Sequence, residues 1–162
     1  MEEMTQTNID NIIQKISENK KLKFKYMYLS KSENDTLKLG YILAKYMTKS
    51  TVITLNGELG SGKTVLVKGI GNYFDIQSEI SSPTFTIVNE YATSKFPIYH
   101  FDVYRLNDMH NFLETIGTDY FSSGACIIEW GEMLDELLPR NTIHIDFEKK
   151  DNNIRKIIIW RK

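Results

Sequence analysis

Gly57-Glu58-Leu59-Gly60-Ser61-Gly62-Lys63-Thr64 reads G-x-x-x-x-G-K-[ST], the spacing of a phosphate-binding loop. Before it runs Val52-Ile53-Thr54-Leu55, apolar and rich in β-branched residues, as a buried strand would be. After it, Leu66, Ile70 and Tyr73 fall at i, i+4 and i+7, the spacing of a helix face. The glycines let the backbone turn tightly and come close to a ligand. Successive N–H groups then form an anion nest, and the first turn of the helix adds unpaired donors and the positive end of its dipole. In this pattern the lysine, Lys63, reaches the β- and γ-phosphates, and Thr64 offers a hydroxyl to Mg²⁺, a hard cation that prefers oxygen.

Working outward, 162 residues fit one domain with a real core. Twenty basic residues nearly balance 21 acidic ones, a net charge of -1, which argues against a strong autonomous nucleic-acid binder. The single Cys126 sits in the apolar run Ala125-Cys126-Ile127-Ile128 and reads as a small buried hydrophobe. No apolar run approaches a membrane span and the first twenty residues lack a signal-peptide core, so the expected location is the cytoplasm.

Upstream of the loop, residues 1–22 are polar, with Ile9, Ile12, Ile13 and Ile16 at helical spacing; they read as a short amphipathic helix or a loosely attached extension. Phe24 to Leu29 alternates like an edge strand. Ser32 followed by Asp35 resembles a capping box opening a helix from Glu33 to about Met47. Downstream, Ser81-Ser82-Pro83-Thr84 leads into a strand over Phe85–Val88, and reads either as a plain loop or as a switch sensing a γ-phosphate. Two later strands end in carboxylates, Ile98–Asp102 and Ala125–Glu129. Either resembles a Walker-B strand, and pattern does not rank Asp102 against Glu129. Helices are predicted over Asn107–Gly117 and Glu132–Leu138, and Thr142–Phe147 with Ile154–Trp160 predicts an antiparallel hairpin. His100, His110 and His144 have no metal-ligand spacing.

Four stretches together resemble the TsaE (YjeE) family, bacterial ATPases of tRNA threonylcarbamoyladenosine biosynthesis: Gly57–Thr64, Ser82-Pro83-Thr84-Phe85-Thr86, His100-Phe101-Asp102-Val103-Tyr104-Arg105-Leu106 and Ile128-Glu129-Trp130-Gly131-Glu132. The resemblance covers roughly Tyr26 to Trp160. It departs at Ser61, where the family commonly has Ala, and at Gly131, where it commonly has Pro. It implies an ATP- and Mg²⁺-dependent hydrolase working with two partner proteins, TsaB and TsaD, with tRNA reached only through the complex and no membrane involved. It implies that Gly57, Glu58, Leu59, Gly60, Ser61, Gly62, Lys63, Thr64 and Val65 cradle the phosphates. Thr64 and Glu129 would hold the metal, Asp102 would position or activate water, and Thr84 would sit in the switch. Trp130 would lie beside the site, Glu33 to Thr36 would touch adenine or ribose, and Arg105 would contact phosphate or partner.

The predicted fold is a three-layer α/β P-loop NTPase domain over residues 23–162, with a mostly parallel central sheet and antiparallel edge strands, preceded by the extension. A small-molecule or nucleotide kinase shares the same start. Such kinases usually carry several arginines in a lid, however, and the four here, Arg105, Arg140, Arg155 and Arg161, are unclustered. A GTPase would be expected to carry an Asn-Lys-x-Asp stretch, which is missing. A non-catalytic nucleotide-binding module is the last alternative.

Overall fold

The computed structural model describes residues 1–83, 86–106 and 109–162. Thr84, expected in the switch, lies outside the described residues. The elements in chain order are β1 (Glu2–Met4), α1 (Ile9–Glu18), β2 (Phe24–Ser30), α2 (Glu33–Lys45), β3 (Val52–Asn56), α3 (Lys63–Tyr73), β4 (Val88–Tyr91), β5 (Ile98–Asp102), α4 (Met109–Thr115), α5 (Tyr120–Ser123), β6 (Ala125–Glu129), β7 (Ile143–Lys149) and β8 (Arg155–Arg161).

Among the described residues the eight strands form one sheet in the order β1-β2-β8-β7-β3-β6-β5-β4. β3 pairs in parallel with β6 and β7, and β5 in parallel with β6. β8 runs antiparallel to both β7 and β2, and β4 antiparallel to β5. The expected mostly parallel sheet is therefore present, with two placements corrected. β2 is not an edge strand, because β1 pairs with its outer side in parallel. Of the strand expected over Phe85–Val88, Phe85 lies outside the described residues, and β4 takes up only Val88. Ile87 has φ 65°, a left-handed backbone that cannot continue an extended ladder.

Alternation along the central strands divides their side chains between two faces. Ile53 and Leu55 of β3, Ile127 of β6 and Ile145 of β7 share one core with Ile13 of α1, Leu39 of α2 and Leu66 of α3. Val52, Phe101 and Ile128 share the other with Phe112 of α4 and Leu134. Within the N-terminal residues, Ile9–Glu18 forms α1. Its Ile9, Ile13 and Ile16 are buried, each contributing roughly 1.5–3 kcal/mol, so it packs on the same core. The helix expected over Glu132–Leu138 is instead a 3-10 turn, Gly131–Leu134. Among the described residues no helix is long and apolar enough to cross a membrane.

The strand directions fix where a site can form. β2, β3, β5, β6 and β7 all run the same way, so their carboxyl ends meet at one end of the sheet. The loop after β3, the start of α2 and the β7–β8 turn necessarily gather there.

Candidate functional site

At that end lies a cleft of about 380 Å³. Its floor is the glycine loop, where Gly57, Gly60 and Gly62 have φ of 149°, 77° and 108°, values that L side chains rarely adopt. Leu59 at the loop tip is fully exposed, whereas Ser61 is buried and its hydroxyl has no hydrogen-bond partner among the described residues. Lys63 opens α3 and turns back over the loop, its Nζ donating to the carbonyls of Gly57 and Glu58, the latter at 3.3 Å. The ammonium also lies 4.8 Å from the Trp130 ring centroid. Burial pushes Lys63 below the ordinary lysine value, against the opposing fields of Glu129, Asp102 and Glu132.

The carboxylates converge through strand register. Asp102 pairs with Glu129 across β5 and β6, so both side chains leave the same face. His100, two residues before Asp102, shares that face and is fully buried. Its Nε2 donates to Glu129 Oε2 at 3.1 Å, while its Nδ1 is buried without a partner among the described residues. The Ser82 hydroxyl lies between the two acids, 2.5 Å from Glu129 Oε2 and 3.2 Å from Asp102 Oδ2. Burial would raise the Glu129 carboxyl. The bond and field of His100, the Ser82 hydroxyl and Lys63 outweigh that and hold it below the ordinary glutamate value. Asp102 is half-buried and also accepts the Tyr104 N–H at 3.1 Å.

Two further walls close the cleft. The first turn of α2 supplies Ser32, Glu33 and Thr36. Ser32 caps it, accepting the Asp35 N–H at 3.1 Å. The return bond of a capping box is replaced, because the Asp35 carboxylate accepts the N–H of Lys31 at 2.9 Å. The Thr36 hydroxyl is buried in a 2.7 Å bond with Ser30. Opposite, the β7–β8 turn supplies Asn152, Asn153 and Arg155. A glycine loop at a helix N-terminus, a buried cation, hydroxyls and two carboxylates make a site suited to an anion together with a hard cation.

The family model described as "Threonylcarbamoyl adenosine biosynthesis protein TsaE" matches residues 30–157. The chain belongs to the TsaE family. A tRNA threonylcarbamoyladenosine biosynthesis protein TsaE from Treponema pallidum is 36% identical over 81% of this chain and 97% of its own length. One from Synechocystis is 46% identical over 64% of this chain and 69% of its own. The crystal structure of YdiB from Bacillus subtilis superposes with a TM-score of 0.71 at 28% identity, covering 86% of this chain and 87% of that one.

Of the residues expected in this TsaE chain's site, Glu33, Thr36, Leu59, Gly60, Ser61, Gly62, Lys63, Thr64, Val65, Asp102, Glu129 and Trp130 all line the one cleft. Gly57 and Glu58 meet it through the carbonyls that hold Lys63. Trp130 occupies a left-handed backbone, φ 63°, which turns its ring onto Lys63 and against Tyr104, the two aromatic centroids 4.9 Å apart. Arg105 is not among the lining residues; it lies exposed on the 3-10 turn Tyr104–Leu106. Missed by sequence reasoning were Ser32, Asn152, Asn153 and Arg155. Their signal was the direction of β2 and β7, which only strand order reveals.

Proposed function

We propose that this TsaE protein hydrolyses ATP with Mg²⁺ and thereby supports turnover of a TsaB–TsaD complex that makes threonylcarbamoyladenosine in tRNA, in the cytoplasm. The observation that carries this reading is the meeting, in one cleft, of the glycine loop with Lys63, Thr64, Asp102 and Glu129. The loop amides other than that of Ser61, which donates to the Glu58 carbonyl at 3.1 Å, would serve as phosphate donors. Arriving phosphate oxygens would draw Lys63 off the loop carbonyls it now bonds. Asp102 and Glu129 would repel a polyphosphate on their own, so the site calls for a cation between. Thr64 and Glu129 would hold Mg²⁺, whose chemistry is to neutralise charge on the phosphate oxygens. Asp102 would accept a hydrogen bond from the attacking water and orient it. The start of α2 and the β7–β8 turn would hold adenine and ribose between them.

The test is Mg²⁺-dependent ATP hydrolysis, alone and with the matching TsaB and TsaD, for wild type, Lys63→Ala and Glu129→Ala. The expected result is stimulation by the pair that both variants lose. Turnover unchanged in Lys63→Ala would overturn the site, and equal rates with and without the pair would remove the partnership.

A further inference from the structure

The wall opposite α2 carries an arginine that the proposed chemistry leaves unused. Arg155 opens β8, and its Nε donates to the Ser61 carbonyl at 3.1 Å and its Nη2 to the Gly60 carbonyl at 3.3 Å. Its Nη1 donates to the carbonyls of Asp151 at 2.8 Å, Asn152 at 3.3 Å and Ile154 at 3.2 Å. The turn that offers these carbonyls is braced by Asp151, whose Oδ1 accepts the N–H groups of Asn153 at 2.9 Å and Ile154 at 3.0 Å. Among the described residues the five hydrogen-bond partners of the guanidinium are backbone carbonyls, two in the glycine loop and three in the turn.

A loop that presents N–H groups to an anion must turn its carbonyls the other way. Those carbonyls need donors, and whatever supplies the donors fixes the orientation of the peptides between them. Lys63 holds the first half of the loop through Gly57 and Glu58, but that ammonium is the group a phosphate would draw away. The second half, Gly60 and Ser61, is held by Arg155. A guanidinium is planar and presents its N–H groups in a rigid fork, so it sets the angle between two carbonyls as well as their positions. An ammonium on a flexible stem cannot. Among the described residues no carboxylate hydrogen-bonds to it, though the Asp151 carboxylate lies within its field.

We propose that Arg155 is the positioning residue of the glycine loop: by clamping the Gly60 and Ser61 carbonyls it fixes the two peptides that lead into α3, one with its N–H on the Glu58 carbonyl at 3.1 Å and the next with the Gly62 amide left for the ligand, and it ties that conformation to the Asp151–Ile154 turn. This rests on reading the cleft as a polyphosphate site.

The test is calorimetric titration of the full chain with Mg²⁺–ATP and with inorganic tripolyphosphate, for wild type, Arg155→Lys, Arg155→Ala and Asp151→Ala, with thermal melting of each unliganded protein. Arg155→Lys keeps the charge and loses the fork. It is expected to weaken both ligands about tenfold, the size of one lost charge-assisted hydrogen bond, at an almost unchanged melting temperature. Asp151→Ala keeps the arginine and loosens its seat, and is expected to weaken both ligands in the same direction. Arg155→Ala loses charge and fork together and weakens them furthest. Affinities within twofold of wild type in Arg155→Lys would overturn the proposal, as would a loss for ATP alone, which would put Arg155 on the nucleoside. If the arginine variants fail to fold, Asp151→Ala decides by the same criterion. A wild-type protein that binds neither ligand refutes the polyphosphate reading itself, an outcome distinct from equal binding by wild type and variants.

Discussion

α2 and α3 touch through two glycines, and replacing one tests the architecture that forms the cleft. A Cβ on Gly40 would stand 2.2 Å from the Leu66 carbonyl oxygen and 3.1 Å from both Gly69 Cα and Ile70 N. A Cβ on Gly69 would stand 2.2 Å from the Leu37 carbonyl oxygen. Every one of these atoms is backbone, so no side chain can swing aside, and the helices must separate by roughly 1 Å to restore van der Waals contact. Overpacking of this kind costs about 3 kcal/mol at the upper end of its usual range. Alanine in place of a helical glycine returns about 1 kcal/mol of that. Gly40→Ala should therefore destabilise the protein by about 2 kcal/mol, or lower its melting temperature by about 4–8 °C for a chain of this size. Because the first turn of α2 lines the cleft and α3 carries the loop, the affinity for Mg²⁺–ATP should fall with it. Urea denaturation followed by circular dichroism gives the first number and calorimetric titration the second. The double variant Gly40→Ala/Gly69→Ala should cost less than the sum of the singles, since the first methyl has already parted the helices. Gly40→Ala as stable as wild type would refute the close crossing.

Glu129→Gln removes one of two carboxylates facing the proposed phosphates; ATP binding should lose most of its dependence on Mg²⁺, and ATP without metal should bind at least as tightly as to wild type. Metal-dependent affinity unchanged in the variant would show that Glu129 does not hold the cation. Cys126 is fully buried and burial pushes its thiol up to about 12, so a thiol reagent at neutral pH should label it only after denaturation. Prompt labelling of the native protein would contradict that burial. Burial lowers the His144 pKa from the ordinary histidine value. A histidine depressed by folding contributes stability that is full above its unfolded pKa and lost as pH falls through the folded one. Glu129, also held low, adds acid sensitivity of the same sign at lower pH. Urea midpoints should therefore begin to drop below about pH 6.5, and a His144→Asn variant should lack that first decline.

The loop was legible because its chemistry is local: three glycines, a lysine and a threonine at fixed spacing between a strand and a helix leave few alternatives. β5, β6 and the C-terminal hairpin were legible for the same reason, since alternation and a closing carboxylate are features of five or six consecutive residues. What failed was non-local. The pattern of β2 shows a strand with two unlike faces, but whether anything pairs with its outer edge depends on Glu2–Met4, a segment too short and polar to read as a strand. The Ile87 backbone breaks a run that composition alone marks as extended. Asn152, Asn153 and Arg155 could be read as a turn and a strand start, yet their nearness to Gly60 follows from β7 running parallel to β3, a fact of the sheet and not of any stretch of sequence.

The two acids that pattern could not rank are separated by their surroundings. Asp102 and Glu129 are register neighbours, which is why both end a strand beside the same loop. Glu129 is 3% exposed, and two hydrogen bonds, from His100 and Ser82, land on its Oε2. A carboxylate held low in pKa and fixed through one oxygen is suited to offer the other to a cation at a set position. Asp102 is half-buried, and its link to Ser82 is 3.2 Å against 2.5 Å for Glu129. The Ser82 hydroxyl has a single hydrogen, so its bond falls mainly on Glu129 and leaves Asp102 the weaker share. On the proposed function, this asymmetry assigns the rigid acid to the metal and the more accessible one to water. It also makes Ser82 the point where the two are coupled: a cation that turns the Glu129 carboxylate would release the hydroxyl toward Asp102. Ser82→Ala should then raise the Mg²⁺ concentration needed for half-maximal hydrolysis, and the same Mg²⁺ dependence as wild type would show that the hydroxyl orients neither acid.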